Sequence, residues 1–130
     1  YNVYGPGQIK NSKMSAVIGI FESQYEKKKK LSVVKPGTQK RDFTHVYDIV
    51  NGCYLAFLKG KNEHYFLGTK RNYTILEIAK MFKSSIKMLP ERPGERLGPV
   101  QKTNKAYTDL GYKAKMNIKD YIKNFISKSN

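Results

Sequence analysis

The chain has 130 residues, the size of one domain, and its hydrophobic content of 39%, with ten Tyr and six Phe, excludes global disorder. A single cysteine excludes an internal disulfide framework. No apolar run reaches the roughly 18 residues that span a bilayer, and no signal-peptide pattern is present. We therefore expect a soluble, cytoplasmic protein with no membrane partner.

The formal net charge of +15 raises the question of a polyanionic partner. Lysines are scattered over the polar faces of most predicted elements, and the only run of them covers residues 27–30. Tyr and Phe recur at core spacing and do not alternate with Arg, as they would on a nucleic-acid platform. The pattern favours a solvated lysine surface over a nucleic-acid footprint, although an anionic small ligand would also be attracted.

Strands and helices alternate in the first part of the chain. Residues 1–4 are typical of the end of a strand, and a helix is expected from Ser12 or Ser15 onward. Residues 31–34 predict a short strand that stops at Pro36. The polar residues 41–45 then indicate a turn.

The clearest helix covers residues 46–59 and is expected to end at Gly60. Its apolar positions recur at helical spacing and predict one buried face that includes the cysteine: Val46, Ile49, Val50, Cys53, Phe57 and Leu58.

The second part of the chain continues the alternation. Residues 64–68 predict a buried strand, and Thr74 with Glu77 forms a capping box that opens a helix to about Phe82. A strand at 86–89, a charged loop at 90–99 and two short helices follow, the helices marked by Gly111 at one end and Asn117 at the other. The whole pattern predicts an α/β fold.

Residues suited to catalysis are scarce. His45, His64 and Cys53 are too few and too far apart for a typical metal site, and no Gly-x-Gly-x-x-Gly or paired carboxylates are present. We interpret His64 as a packing or surface residue and His45 as a residue that orients a loop. Composition and spacing alone therefore indicate a domain that binds something anionic.

The best candidates for anion binding are arginines in predicted loops, because a guanidinium binds phosphate in a bidentate manner. The chain has four arginines, of which Arg41 precedes the long helix and Arg92 and Arg96 flank a Pro-Gly turn. Two interpretations remain level from the residues alone. These arginines contact a phosphate, or they pair with Asp42 or Glu95 and hold a loop together.

Five motifs occur in an order that is familiar. They are Tyr1-Asn2-Val3-Tyr4-Gly5-Pro6-Gly7-Gln8, Arg41-Asp42-Phe43-Thr44-His45-Val46, Tyr65-Phe66-Leu67-Gly68 followed by Thr74-x-x-Glu77, Pro90-Glu91-Arg92-Pro93-Gly94-Glu95, and Asn104-Lys105-Ala106-x-x-x-Leu110-Gly111-Tyr112. In this order the chain, residues 1–130, resembles the C-terminal, substrate-binding portion of extended short-chain dehydrogenases/reductases. The resemblance is strongest to UDP-glucose 4-epimerases and related nucleotide-sugar epimerases and dehydratases.

The resemblance implies a Rossmann-like NAD domain with a smaller C-terminal substrate domain, and NAD as the cofactor. It also implies a role for each of six residues. Asn2 and Val17 would contact the nucleotide-sugar, Arg41 and Arg92 its diphosphate, Glu95 the ribose hydroxyls, and Tyr1 the nicotinamide region. The family more often has Asp at the position of Glu95.

The family's glycine-rich NAD fingerprint and its catalytic Tyr-x-x-x-Lys pair have no counterpart at the expected place in these 130 residues. Tyr25 and Lys29 have the right spacing but fall on the wrong helix, so we treat them as chance. We therefore expect the nucleotide-sugar-binding portion of a 4-epimerase, inactive alone. A 4,6-dehydratase of the same fold and a non-catalytic basic module that binds nucleic acid or another polyanion are the alternatives.

A missing N-terminal half is the partner that the resemblance implies. Without it, the helix at 46–59 and the predicted strand at 64–68 would lose their Rossmann neighbours. Their apolar faces would then be covered by self-association, giving a homo-oligomer, or stay exposed.

Overall fold

The structure is a computed structural model that describes residues 2–94, 98 and 103–129. Strands and helices alternate along it, as predicted. The elements are β1 (Asn2–Tyr4), α1 (Val17–Glu26), β2 (Leu31–Val34), β3 (Lys40–His45), α2 (Val46–Lys59), β4 (Asn72–Thr74), α3 (Ile75–Met81), β5 (Ile86–Leu89), α4 (Lys105–Leu110) and α5 (Ile118–Ser129).

The strands form two small sheets. In the first, β1 runs parallel to β3, with Asn2 opposite Phe43, and β4 runs antiparallel to β3, with Arg41 opposite Tyr73. In the second, β2 runs parallel to β5, with Val34 opposite Leu89. Parallel pairs joined through helices confirm the α/β class.

The main hydrophobic core lies between α1, β2, α3 and α5. Phe21 of α1 and Phe82 after α3 are both fully buried and meet edge to face, with ring centroids 5.8 Å apart. A smaller cluster joins α2 to α4 around the buried Leu110 and Tyr112. The capping box at Thr74 and the end of α4 at Gly111 are both as predicted, and Gly111 is left-handed, with φ 70°.

The turn predicted at residues 41–45 is wrong, because this segment is the strand β3. The sequence does not reveal this strand because two of its buried residues, Asp42 and Thr44, are polar. Asp42 is satisfied by hydrogen bonds from Thr44 Oγ1 (3.1 Å) and from the backbone N–H groups of Thr69 (3.1 Å) and Lys70 (2.9 Å). A buried carboxylate with this many donors is stable inside the fold.

The strand predicted at residues 64–68 is also wrong, because these residues belong to no strand or helix and Phe66 is 42% exposed. The hydrogen bonds to Asp42 turn the backbone just after this segment. The place beside β3 is instead taken by β4, which the sequence analysis missed.

The helix predicted at residues 46–59 is confirmed as α2, but its predicted buried face is wrong. Cys53 is exposed, and Val50 and Phe57 are 60% and 85% exposed. The residues that α2 buries are Asp48 and Gly52, where a Cβ on Gly52 would lie 2.7 Å from the Leu67 methyl groups. The apolar residues at 47, 50, 54, 57 and 58 therefore form an uncovered stripe, the α2 stripe: Tyr47, Val50, Tyr54, Phe57 and Leu58.

Candidate functional site

The segments that carry Arg41 and Arg92 emerge from the same end of the two-stranded sheet. Val34 and Leu89 are the last residues of the parallel strands β2 and β5, and the Lys35 N–H donates to Leu89 O at 3.0 Å. The chain after β2 turns into β3, which places Arg41 in its second position, and the chain after β5 reaches Arg92 within three residues. The carboxyl ends of parallel strands are where open α/β sheets bind ligands.

The turn between β2 and β3 is held from both sides. The buried Gln39 side chain donates to Val34 O (3.1 Å), and its backbone carbonyl accepts from the Ile75 N–H (3.1 Å). Gly37 has φ 80°, a left-handed conformation, and its carbonyl accepts from the Leu76 N–H at 3.0 Å. These contacts tie the turn before Arg41 to the start of α3, so the turn is fixed.

Asn2 and Arg41 lie on the same face of the first sheet. Asn2 pairs with Phe43, and residues 41 and 43 of a strand point to the same side. The two side chains are diagonal neighbours on adjacent strands, a separation that long side chains bridge. Both are half-buried, and Arg41 Nη1 donates to the Lys40 carbonyl at 2.9 Å.

Val17 is the first residue of α1 and is half-buried against the main core. Arg92 is exposed. Tyr1, Glu95 and Arg96 lie outside the described residues. The structure therefore places Asn2 and Arg41 on one face of the first sheet. Arg92 lies in the segment that follows β5.

A cluster of hydrogen-bonded polar side chains around the buried Glu22 joins α5, α1 and the loop before α1. Tyr121 Oη donates to Glu22 Oε1 at 2.7 Å and accepts from Gln8 Nε2 at 3.2 Å, while Lys10 Nζ pairs with Glu22 at 3.1 Å. Burial, helped by the neighbouring Glu22 carboxylate, raises the pKa of Tyr121 far above its ordinary value, so the phenol stays a hydrogen-bond donor. These contacts tie α5 to α1 and to the loop before it.

The structure places His45 at the N-terminus of α2, where its side chain caps the helix. Its ring is buried between Tyr4 and Tyr47, with ring centroids 5.2 and 4.9 Å away, and its Nδ1 accepts from the Tyr47 N–H at 3.2 Å. Burial lowers the pKa of His45, against a weaker opposing effect of Asp48, which favours the neutral ring that the cap requires. The predicted role in orienting a loop is thereby replaced by a helix cap, a role that the sequence analysis missed.

Within the described residues no group of three or more His, Cys, Asp or Glu side chains is placed to hold a metal ion. In the same part of the chain no helix is long and apolar enough to cross a bilayer. The described residues form parallel strand pairs, with the segments that carry Arg41 and Arg92 at one end of β2 and β5, and the fold is an α/β fold of Rossmann-like type.

The family follows from comparison with known proteins. Residues 1–68 match the model of the NAD dependent epimerase/dehydratase family, so the chain belongs to that family. A UDP-glucose 4-epimerase of Cyamopsis tetragonoloba is 35% identical over 98 residues, which cover 66% of this chain and 28% of that protein. A UDP-glucuronic acid decarboxylase of Arabidopsis thaliana is 28% identical over 126 residues, which cover 92% and 36%.

The fold is similar to that of solved epimerases. The UDP-glucose 4-epimerase of Thermotoga maritima, solved with UDP-glucose, superposes with a TM-score of 0.89 at 27% identity, covering 97% of this chain and 42% of that one. This confirms the expected Rossmann-like epimerase fold. The chain spans less than half the length of these relatives.

Proposed function

We propose that the chain is the nucleotide-sugar-binding portion of an NAD-dependent UDP-sugar 4-epimerase. The observation that carries the proposal is the emergence of the Arg41 and Arg92 segments from the same end of β2 and β5. Two arginines on segments that follow adjacent parallel strands suit a diphosphate, which carries two adjacent anionic groups.

Each binding residue has a distinct task in this proposal. Arg41 and Arg92 bind the diphosphate, and Asn2, on the same face as Arg41, hydrogen-bonds the nucleotide-sugar. Val17, at the start of α1, packs along the nucleotide. Glu95 accepts from the ribose hydroxyls and Tyr1 lies beside the nicotinamide.

Bound NAD would accept and return the hydride of the sugar C4–H bond. The described residues do not fit the cofactor, because the chain has no glycine-rich fingerprint, and its one Tyr-x-x-x-Lys spacing begins at Tyr25. The Tyr25 ring packs against Phe82 and Phe125, with centroids 6.1 and 5.9 Å away, as a core residue would. We therefore assign to these 130 residues the binding and positioning of substrate, and to an NAD-binding half the hydride transfer.

The α2 stripe is where we place that NAD-binding half. The stripe exposes five large apolar side chains on one side of a helix, and β1 lies at the edge of its sheet among the described strands. An apolar helix face next to an open parallel strand is what remains uncovered when a doubly wound sheet is continued by other strands.

Isothermal titration with UDP-glucose tests the binding function. Saturable binding to the chain is expected, with Arg41→Ala and Arg92→Ala each weakening it about tenfold or more, equivalent to about 1.4 kcal/mol. Lys123→Ala, which removes an exposed cation on α5, is the matched control and should leave the affinity within about twofold.

A short DNA duplex, titrated at two salt concentrations, tests the polyanion alternative. Steeply salt-dependent duplex binding that ignores Arg41→Ala, together with no binding of UDP-glucose, would replace the epimerase proposal by that of a basic module.

A further inference from the structure

The ends of two helices lie side by side at the start of the second sheet. Tyr25 in the last turn of α1 and Phe82, which directly follows α3, have ring centroids 6.1 Å apart. Short connections lead from α1 into β2 and from α3 into β5, and where these strands begin the Leu31 N–H donates to Ser85 O at 2.8 Å. The two connections are therefore neighbours in space.

This end of the second sheet is opposite to the proposed nucleotide-sugar site. β2 and β5 are parallel, so their amino ends meet here, whereas the segments that carry Arg41 and Arg92 emerge from their carboxyl ends. A strand of this length separates its two ends by about 10 Å. A partner bound at the amino ends therefore contacts a different surface from a ligand of Arg41 and Arg92.

Lysines are concentrated at these two helix ends. Six of them are exposed there, and we call them the lysine patch: Lys27, Lys28, Lys29, Lys30, Lys80 and Lys83. No Asp or Glu occurs in residues 27–41 or 78–90. The carboxylates nearest in sequence, Glu26 and Glu77, are held by a lysine of the loop before α1 and by the capping box of α3. Within the described residues none of the six lysines forms an ion pair, so their charge remains available to an anionic partner.

Two lysines of the patch occupy backbone positions that favour glycine. Lys28 and Lys83 are left-handed, with φ of 53° and 52°, and each is the second residue after the end of its helix. Glycine is the usual residue there, because a Cβ is strained in this conformation. A cation also interacts favourably with the helix dipole, but Lys27 and Lys80 already supply one at each helix end. Lysine in a strained conformation therefore indicates a use of its charge outside the fold.

The chemistry of the lysine patch suits a diffuse anionic surface better than a nucleic acid. The patch contains no arginine for bidentate contacts, and the rings of Tyr25 and Phe82 pack in the core, where no base can stack on them. It is formed at the carboxyl ends of helices, whose carbonyl groups repel a phosphate at close range, whereas nucleic-acid phosphates are commonly bound by helix N-termini. Long lysine side chains reach beyond these carbonyls, and clusters of about four to eight basic residues bind anionic lipid headgroups in this way.

We infer that the lysine patch binds the surface of a membrane that is rich in anionic phospholipids. The contact is electrostatic, and no segment of the chain enters the bilayer. The expectation that the chain has no membrane partner concerned spanning segments, whereas contact between lysines and headgroups requires none. The binding surface goes beyond the proposed UDP-sugar function and does not depend on it.

Co-sedimentation of the chain with lipid vesicles tests the inference. Vesicles of phosphatidylcholine with about one-third phosphatidylserine should bind the chain at about 0.1 M salt, and the binding should be lost at about 0.5 M salt, where charges are screened more strongly. Vesicles of phosphatidylcholine alone should not bind it. Equal binding to both kinds of vesicle overturns the inference, because the exposed apolar α2 stripe would then be the attachment.

Two double variants locate the binding surface. Lys28→Gln with Lys83→Gln should weaken binding to the anionic vesicles about tenfold or more. Lys59→Gln with Lys113→Gln removes the same charge from exposed positions outside the lysine patch and should weaken it less than about threefold. Equal weakening in the two variants overturns the inference, because the net charge and not the patch would then determine binding.

Lys28→Gly with Lys83→Gly separates the charge from the fold. Glycine suits both left-handed positions, so the free energy of unfolding, measured with urea, should stay the same or rise. Binding to the anionic vesicles should nevertheless weaken about tenfold or more, as in the glutamine variant. Unchanged binding in this glycine variant overturns the inference.

A short DNA duplex tests nucleic acid as the partner of the lysine patch. Absence of binding to the anionic vesicles overturns the inference. If the chain then binds the duplex and Lys28→Gln with Lys83→Gln weakens that binding, the partner of the patch is a nucleic acid.

Discussion

Asp48 accepts the backbone N–H of Lys115 at 3.0 Å, across 67 positions of sequence, and joins the first turn of α2 to the segment that leads into α5. Its other oxygen accepts from the next N–H, that of Met116, at 2.9 Å. With the carboxylate only 5% exposed, one side chain satisfies two backbone donors that would otherwise lack partners at this junction.

Removal of this carboxylate should destabilise the fold. We expect Asp48→Ala to lower the free energy of unfolding by about 2–4 kcal/mol, because two charge-assisted hydrogen bonds are lost and two backbone N–H groups are left unpaired. Urea unfolding measures the change. Asp120→Ala, at an exposed position in the first turn of α5, is the control and should cost less than about 1 kcal/mol. Equal effects in the two variants would contradict the anchoring role.

Acid should weaken the cap of α2. Because burial holds the pKa of His45 below its ordinary value of 6.5, the unfolded chain takes up this proton more readily than the folded chain. The free energy of unfolding should therefore fall as the pH drops below about 6.5, by at most about 1.4 kcal/mol per pH unit. Urea unfolding between pH 7.5 and 5 measures the slope.

Two variants test whether His45 is the residue that makes the free energy of unfolding depend on pH. His45→Asn supplies a good cap without a titrating ring and should flatten the dependence on pH. His64→Asn, at an exposed position, should keep the wild-type slope. A slope that disappears in His64→Asn instead would refute the assignment.

Replacement of Gly19 by Ala should destabilise the fold, although Gly19 lies inside helix α1. A Cβ there would sit 2.4 Å from the backbone oxygen of Ile9, which cannot move alone. We expect Gly19→Ala to destabilise by about 1–3 kcal/mol, since the overlap outweighs a gain of about 1 kcal/mol in helix propensity. Thermal or urea unfolding tests this against Asn124→Ala on the exposed side of α5, which should change stability by less than about 0.5 kcal/mol. A stabilised Gly19→Ala would show that the contact is looser than described.

The α2 stripe should make the isolated chain associate with itself. Its apolar surface favours contact, whereas the net charge of +15 opposes it, so association should strengthen when salt screens that charge. Sedimentation velocity at 0.15 and 0.5 M salt, between which the Debye length falls from about 8 Å to about 4 Å, measures this. Phe57→Glu should weaken association about tenfold, whereas Met14→Glu, at an equally exposed site outside the stripe, should not. A strictly monomeric chain at high salt would contradict the prediction.

The sequence predicted elements whose stability is local. The capping box at Thr74, the end of α4 at Gly111 and the start of α5 at Asn117 each depend on neighbours within one or two turns, and all are present. β3 was missed because Asp42 and Thr44 are buried in satisfied hydrogen bonds, which no hydropathy pattern reveals. The backbone N–H groups that donate to Asp42 belong to Thr69 and Lys70, in a loop 27 and 28 residues away.

The face of α2 was misjudged for a related reason. Helical spacing shows that Val50 and Phe57 share a side, but which surface covers that side is a property of the rest of the fold. Among the site residues, the positions of Asn2 and Arg41 on one sheet face follow from the register of β1 with β3, which spacing alone does not give. A cavity of about 660 Å³ between residues 66–73 and 103–118 is likewise formed by segments distant in sequence.

The hydrogen bond from Gln8 to Tyr121 spans 113 residues, and that from Tyr121 to Glu22 spans 99. Contacts of this separation slow folding, because a long loop must close before the contact forms. During synthesis α1 is made long before α5, so Glu22 lacks the Tyr121 hydroxyl that donates to it until α5 emerges. Helix α1 therefore completes its contacts only after α5 has been synthesised, and until then part of its surface stays accessible to other nascent chains and to chaperones.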